Sequence, residues 1–366
     1  MERKLASIQA IEKIEDITFI NAEGKEEVAQ NIVKAHVLGW QCVTQRSNGF
    51  KAGDLVVYFE VDSLLPAGRP EWEFLRKKDT ETAFRIKTIK LKGQFAQGLI
   101  LPISLFPELK GDELPAGEDL TDRLGIIKYE PELPAHLAGA VMGEFPGFVS
   151  KTDETRIQTC PGVLTRRKGE VCYVTEKVDG SSITVFYVPR GIPGLPNKFL
   201  EDNDSENIFG VCSRKLCVKF SEDNGYWKGV LHHNVADKLY SYGKPIVLQG
   251  ELYGAGIQDN KYKMQSIRIA WYNVFDPIER KYAGFNEFQD ILNKLDQPSV
   301  PVLDKNFVLD HTVEQLVNYS MGTSVYNNKT LREGIVIRPL VESEERYLGR
   351  FSFKVINPEF LVKYNG

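Results

Sequence analysis

Over the first 105 residues, short apolar runs alternate with clusters of turn-forming residues. IVKAHVLGWQCVT (32–44), DLVVYFEV (54–61), AFRIKTIKLKG (83–93) and QGLILPI (97–103) are rich in β-branched and aromatic side chains. NAEGKEE, SNGFKAGD, LPAGRPE and KGQFAQG separate them with Gly, Pro, Asn and Asp, the residues that reverse a chain. Several short strands at this spacing, with few helical stretches, predict a small barrel or sandwich. An OB-like β-barrel over residues 1–120 is the preferred form, because one face of such a barrel commonly binds nucleic acid.

From about residue 108 the pattern changes. LKGDELPAGEDLTDRLG and YEPELPAHLAGAVMGEFPGF are dense in Pro, Gly and acid, and residues 121–149 read as an ordered linker. Residues 150–366 form a second, mixed region. Strands are expected at EVCYVTEKV, SITVFYV, IFGVCSRK, PIVLQGELYG, IRIAWYNVFD, EGIVIRP and RFSFKVI. Helical periodicity marks YWKGVLHHNVADKLYSY, NEFQDILNKL and TVEQLVNYS. The expected class is α+β, and no internal repeat is present.

Composition narrows the function. The 366 residues carry 46 basic and 50 acidic side chains, a formal charge of −4 that argues against sequence-blind coating of nucleic acid. Local basic runs remain: FRIKTIKLKG (84–93), LTRRKG (164–169) and SRKLCVK (213–219). Each is either a solvated face or a phosphate contact. The longest apolar stretch, Leu99 to Phe106, is interrupted by Pro102 and falls short of the roughly 20 residues a bilayer requires. No membrane partner is expected. MERKLASIQAIEKIED lacks the apolar core of a secretory signal, so an intracellular, soluble protein is expected, with the cytoplasm as default and a monomer as the default state. Cys42, Cys160, Cys172, Cys212 and Cys217 are odd in number and show no CxxC spacing, which disfavours a disulfide framework or zinc site. His36, His136, His232, His233 and His311 show no metal-binding spacing.

The sharpest chemical signal is Glu176-Lys177-Val178-Asp179-Gly180-Ser181-Ser182, between two strand-like runs. A lysine at the end of a buried strand is a candidate nucleophile. Desolvation and nearby cations lower its pKa and expose the lone pair that attacks phosphorus. The plain alternative is a hairpin with Asp-Gly in its turn. Further along, IVLQGELYGAG puts Gln249 and Glu251 on one strand face, and REGIVIRP puts Glu333 on a face with Ile335 and Ile337. Carboxylates at such positions need a cation or hydrogen bonds. RFSFKVIN sets Lys354 opposite Phe351 and Phe353, and IAWYNVFD offers Tyr272 and Phe275, on opposite strand faces, to stack on a base.

The order of these pieces is that of the covalent nucleotidyltransferases. Across residues 150–366 the chain resembles polynucleotide ligases and capping enzymes. EKVDG stands as motif I, CSRK as Ia, LQGELYG as III, WYNVFD as IIIa, EGIVIR as IV and SFKVIN as V. It is more similar to the RNA ligase subfamily with an N-terminal OB domain, to which the Deinococcus-type and Naegleria-type enzymes belong. PGFVSKTDETRIQ (146–158), SIQAIEKIEDI, AGDLVVYFEVDSLLP and LKGQFAQGLILP carry that closer likeness over nearly the whole chain.

The resemblance implies an OB-like barrel followed by an ATP-grasp-like ligase domain of antiparallel sheets and helices. It implies an ATP-dependent RNA ligase that joins 5′-phosphate and 3′-hydroxyl ends in RNA repair, with broken RNA or a nicked duplex as partner. Lys177 would attack ATP and carry AMP, with Mg or Mn as cofactor. Thr175, Glu176, Asp179 and Gly180 would frame the nucleotide, and Thr175 and Glu176 would flank the adenine. Phe275 or Tyr272 would stack on it, and Arg214 would reach ribose or RNA phosphate. Glu251 would hold the ribose hydroxyls or a metal-bound water, Glu333 would bind metal through water, and the two would serve as the metal-binding pair. Arg156 and Lys354 would contact phosphate. Many relatives carry Lys-x-Lys in motif V, whereas Ser352-Phe353-Lys354 offers one lysine. A second phosphate contact falls to Lys363 or Arg350, or Lys354 acts alone. A capping-type guanylyltransferase and an inactive nucleic-acid-binding protein on this fold are the alternatives. With 366 − 354 = 12 residues after Lys354, no room is expected for the trailing OB domain of a capping enzyme.

Overall fold

The computed structural model describes residues 4–111, 113–130, 141–201 and 205–364. Within the acidic stretch EDNDSEN (201–207), residues 202–204 lie outside the described residues, as does His136. The chain divides into two compact units. The first comprises Met1–Pro131, Ile157–Val163 and Pro358–Gly366, and the second Glu132–Arg156 and Leu164–Asn357.

The first unit is built from β1 (Ala6–Ile20), β2 (Glu26–Val37), β3 (Trp40–Gln45), β4 (Leu55–Phe59), β5 (Ser63–Pro66), β6 (Ala83–Arg85), β7 (Thr88–Leu91), β8 (Gln94–Gln97), β9 (Leu99–Pro102) and β10 (Ile127–Lys128). An antiparallel sheet runs β3-β2-β1-β4-β9, with a smaller sheet β10-β5-β6 and the hairpin β7-β8. β1 is 15 residues long and shifts register against β2 at Ile11/Lys13 and Asp16/Thr18. Such bulges bend a strand and let one sheet curl into a half-barrel. The unbroken apolar run of β4 follows from burial on both sides. Val57 and Phe59 pack with Ile8, Leu65, Trp72 and Phe106, and Val56 and Tyr58 with Ile11, Val37, Trp40 and Cys42.

IVKAHVLGWQCVT is a hairpin rather than one strand. It turns at Leu38, whose φ of 54° is left-handed, and pairs Val37 with Trp40. Part of the stretch expected as linker is core: Leu124 and Ile126 are buried in the first unit beside Leu120, and β10 pairs with β5. Val141–Glu144, at its other end, is a strand of the second unit.

The second unit contains β11 (Val141–Glu144), β12 (Thr155–Arg156), β13 (Val171–Lys177), β14 (Ser181–Pro189), β15 (Asn207–Cys212), β16 (Leu216–Val218), β17 (Ile246–Gly254), β18 (Ile267–Asp276), β19 (Lys281–Tyr282), β20 (Val302–Val308), β21 (Gly334–Pro339), β22 (Glu344–Glu345), β23 (Gly349–Arg350) and β24 (Phe353–Ile356). A seven-stranded sheet has the order β11-β16-β15-β14-β17-β18-β19, and a five-stranded sheet β12-β24-β21-β13-β20. Numbered across both units, the α-helices are α1 (Gly162–Arg166), α2 (Lys198–Glu201), α3 (Gly225–His232), α4 (Val235–Tyr242), α5 (Phe285–Lys294), α6 (Val313–Ser320) and, in the first unit, α7 (Pro358–Tyr364).

The predicted helix 226–242 is two helices. Asn234 takes a left-handed φ of 50° and breaks it. α6 starts at a capping box in which Thr312 Oγ1 accepts from the Gln315 N–H and Gln315 returns the bond. α3, α4 and α5 bury Val230, Val235, Leu239, Phe288 and Leu292 against Leu248, Leu252 and Trp271. One face of the seven-stranded sheet is thereby closed, and Gln249 and Glu251 lie on the other. No helix among the described residues is long and apolar enough to cross a membrane.

Candidate active site

β13 ends at Lys177 in the five-stranded sheet, and β14 starts at Ser181 in the seven-stranded one. The Asp179-Gly180 turn is therefore a crossover between sheets, not a plain hairpin. Gly180 is required by space: a Cβ there would stand 2.3 Å from the Leu252 carbonyl oxygen and 3.0 Å from Glu251 Cγ. Segment 258–262 clamps the turn. The Asp179 N–H donates to Tyr262 Oη at 2.7 Å, Lys261 Nζ donates to Asp179 Oδ2 at 2.9 Å, and Gln258 Nε2 donates to the Gly180 carbonyl at 3.2 Å.

Lys177 pairs across the sheet with Gly334, so Glu333, the residue before β21, lies beside it. Lys177 Nζ donates to both Glu333 carboxylate oxygens at 2.7 Å. The sequence suggested a depressed lysine pKa, and the structure corrects this. Burial does disfavour the ammonium, but Glu333, then Glu251 and Asp179, outweigh it and hold Lys177 above the ordinary lysine range. Lys177 is thus held as a paired ammonium. Glu251 reaches the same group from β17, where it pairs with Ser182 of β14. Burial, with the like charges of Glu333 and Asp179 and against the pull of Lys177, pushes its carboxyl up to about 8.

Arg156 and Lys354 lie side by side in a parallel pairing of β12 with β24. Lys354 Nζ donates to Asp153 Oδ1 at 3.1 Å, and Arg214 Nη2 donates to Asp153 Oδ2 at 2.9 Å. Burial first, then the cations of Arg156 and Lys177, push Lys354 down to about 8, and Asp153 opposes them. Arg214 projects from the β15–β16 hairpin, closed by the Cys212–Cys217 pair and by the Ser213 N–H donating to the Leu216 carbonyl. Of the candidates for a second motif V cation, Arg350 is bound to Glu342 and to Asn273 Oδ1. Lys363 is in α7 of the first unit.

The two aromatic candidates share one face, contrary to the sequence reading. Gln249 pairs with Asn273 and Gly250 with Trp271, so Tyr272 is a bulged extra residue and the alternation resets. Phe275 is 6 % exposed in a cluster with Phe148, Phe186 and Val247, its ring 4.9 Å from that of Tyr282. Tyr272 is half-buried beside Val178 and Ala270 and donates from its hydroxyl to Thr152 Oγ1 at 3.0 Å. Thr175 is buried and its hydroxyl donates to the Val336 carbonyl. The Glu176 carboxylate is buried on the far side of β13 from Lys177, accepting from Ser324 Oγ at 2.5 Å and the Val325 N–H at 2.8 Å.

Four residues that shape the site escaped the sequence reading. Asp153 bridges two expected phosphate-binding cations. Arg338, 2 % exposed, donates to Glu154 at 2.7 Å and to Ser352 at 3.0 Å, fixing the segment that carries Asp153 and Arg156. Lys261 and Tyr262 hold the motif I turn. A charged residue inside an apolar strand, as Arg338 is in EGIVIRP, was the available signal. The LTRRKG run is paired throughout: Arg166 with Glu345, Arg167 with Glu170 and Lys168 with Asp310.

No three His, Cys, Asp or Glu side chains cluster as a metal cage among the described residues. Glu251 and Glu333 together offer two carboxylates. That donor set fits a hard cation such as Mg, which keeps several waters and is held by one or two carboxylates together with substrate phosphates.

A family model described as RNA ligase matches residues 170–356, and one described as an OB-fold domain matches residues 5–103. Among solved structures, a Naegleria gruberi RNA ligase mutant with AMP and Mn is 32 % identical, covers 99 % of both chains and superposes with a TM-score of 0.81. Another mutant of that ligase, with ATP and Mn, gives the same identity, coverage and TM-score of 0.81. The same ligase with PPi is 32 % identical over 100 % of this chain and 99 % of that one, with a TM-score of 0.79. No curated protein matches the chain.

Proposed function

The chain belongs to the RNA ligase family, and from that membership we propose that it seals RNA by way of a lysyl-AMP intermediate, with ATP as the adenylyl donor. The observation that carries this reading is Lys177 at the end of β13, held by Glu333 and within the field of Glu251, with Lys354 acting on it as a second cation.

In the first step the Lys177 Nζ lone pair attacks the α-phosphorus of ATP. The bond to the bridging oxygen breaks, pyrophosphate leaves, and the proton lost from Nζ passes to solvent. AMP then moves to a 5′-phosphate RNA end, and a 3′-hydroxyl displaces it. Positioning and neutralisation of charge supply most of the catalysis in such transfers. Lys354, Arg156 and Arg214 present the cations for the phosphates, and Lys354 meets charge as it develops at the α-phosphate. Thr175, on the Lys177 face of β13, flanks the adenine, whereas the Glu176 carboxylate faces away from Lys177 and is taken up by Ser324 and Val325. Of the two aromatic residues, Tyr272 is the one beside the nucleotide, because Phe275 is occupied in the core.

Glu251 and Glu333 would hold Mg or Mn, which supplies charge neutralisation at the phosphates and withdraws the negative field that keeps Lys177 protonated. Glu333 must release Lys177 before attack, so the ion pair seen here is the resting state. The first unit binds the RNA, and the enzyme acts as a monomer on nicked duplexes or broken ends in RNA repair.

The test is a single-turnover assay on a nicked RNA duplex with a 5′-phosphate and 3′-hydroxyl. Wild type is expected to seal it with ATP and a divalent cation. Lys177→Ala is expected to form no sealed product, yet to seal a pre-adenylated nick. Equal failure of Lys177→Ala on the pre-adenylated nick would contradict the assigned role, and a requirement for GTP would point to capping chemistry instead.

A further inference from the structure

We infer that Asp153 is a positioning residue that stands in for substrate phosphate in the resting protein. It holds Arg214 and Lys354 at the spacing of one anion, and an incoming phosphate must displace it. This deepens the adenylyl-transfer reading, since the anion it mimics is the one that reading brings to the site.

The geometry is that of a bridge. One carboxylate spends one oxygen on Lys354 Nζ, at 3.1 Å, and the other on Arg214 Nη2, at 2.9 Å. Lys354 comes from β24 of the five-stranded sheet and Arg214 from the β15–β16 hairpin of the seven-stranded sheet. The backbone of Asp153 is anchored on both sides of this seam. Thr152 is tied to Ser182 at 3.0 Å and to Tyr272 at 3.0 Å, both on the seven-stranded sheet. Glu154 is tied to the buried Arg338 at 2.7 Å, on the five-stranded sheet. The carboxylate is therefore presented by a fixed segment, not by a loose surface loop.

Without an internal anion, Lys354 would sit beside Arg156 and within the field of Lys177, a crowd of like charges in a partly buried site. Asp153 offsets that repulsion. Its own side chain is about half exposed, so a stronger anion from solvent can replace it. Phosphate, with more charge and more acceptor oxygens, is such an anion. The exchange lets the two cations keep one arrangement before and after substrate binds, at the cost of weaker anion affinity.

The experiment is calorimetric titration of the full chain with inorganic pyrophosphate, alongside the KM and kcat of ATP-dependent AMP transfer to the protein. Competition from two partly exposed ion pairs corresponds to about three- to tenfold in affinity. Asp153→Asn is expected to bind pyrophosphate more tightly by that factor, and to lower the KM for ATP with kcat changed less than about threefold. Asp153→Ser is expected to do the same, whereas Asp153→Glu, which keeps the charge, binds like wild type. In an Arg214→Ala background the gain from Asp153→Asn shrinks to less than about twofold, because a cation it competes for is gone. Unchanged or weaker pyrophosphate binding in both neutral variants would overturn the inference, as would a gain undiminished in the Arg214→Ala background. If wild type forms no AMP adduct, the functional reading fails on its own, while the pyrophosphate titration still decides the role of Asp153.

Discussion

Glu251→Gln is expected to make the protein more resistant to heat at neutral and alkaline pH while removing adenylyl transfer. Burial first, then the charges of Glu333 and Asp179, hold the Glu251 carboxyl up to about 8 despite Lys177. In the unfolded chain the same group ionises near its ordinary value of 4.5. Between 4.5 and about 8 the folded protein keeps a proton that the unfolded chain has released, so this group lowers stability progressively as pH rises through that window. The full displacement corresponds to a ceiling of about 5 kcal/mol. Water at a half-open site and the coupling to Lys177 reduce the measurable part to about 1–2 kcal/mol. Glutamine keeps the shape and cannot ionise. At about 2–4 °C per kcal/mol for a unit of this size, the unfolding midpoint should rise by about 2–8 °C at pH 8 and by nothing measurable at pH 4.5. Scanning calorimetry from pH 4.5 to 8.5, with AMP-adduct formation measured on the same samples, checks both halves. A midpoint at pH 8 equal to or below that of wild type would refute the electrostatic account of the site.

Two further substitutions test the scaffold. Gly180→Ala should destabilise the protein by about 1–3 kcal/mol and slow adduct formation, because the new methyl group meets the Leu252 carbonyl oxygen; chemical denaturation with single-turnover kinetics reads both. Arg338→Met should cost about 3–5 kcal/mol by stranding Glu154, and the double variant Arg338→Met with Glu154→Leu should recover most of it, as read from denaturation midpoints.

Local chemistry was legible where it repeats along the chain. The order of EKVDG, CSRK, LQGELYG, WYNVFD, EGIVIR and SFKVIN located the strands that carry Lys177, Glu251, Tyr272 and Lys354 and the strand ends beside Arg214 and Glu333, and strand alternation put Gln249 and Glu251 on one face. What failed depended on single backbone irregularities. One bulged residue, Tyr272, reverses the face of an aromatic side chain, and left-handed residues at Leu38 and Asn234 split elements that looked continuous. The protonation of Lys177 was misread because its carboxylate partner lies 156 residues away, and only the pairing of β13 with β21 brings the two together. Asp153 was invisible for the same reason. It is an acid in a polar loop until the fold sets a lysine and an arginine on its two oxygens. The return of Ile157–Val163 and Pro358–Gly366 to the first unit likewise follows from tertiary contacts that no local pattern encodes.

The central claim is that Nζ of Lys177 becomes covalently bound to the nucleotide. Its most direct measurement is intact-mass analysis after incubation with ATP and a divalent cation but no RNA, followed by peptide mapping of any adduct. One AMP per chain, on the peptide containing Lys177, released by acid and absent from Lys177→Ala, is the predicted result. An adduct on another residue, or one that survives in Lys177→Ala, would contradict it.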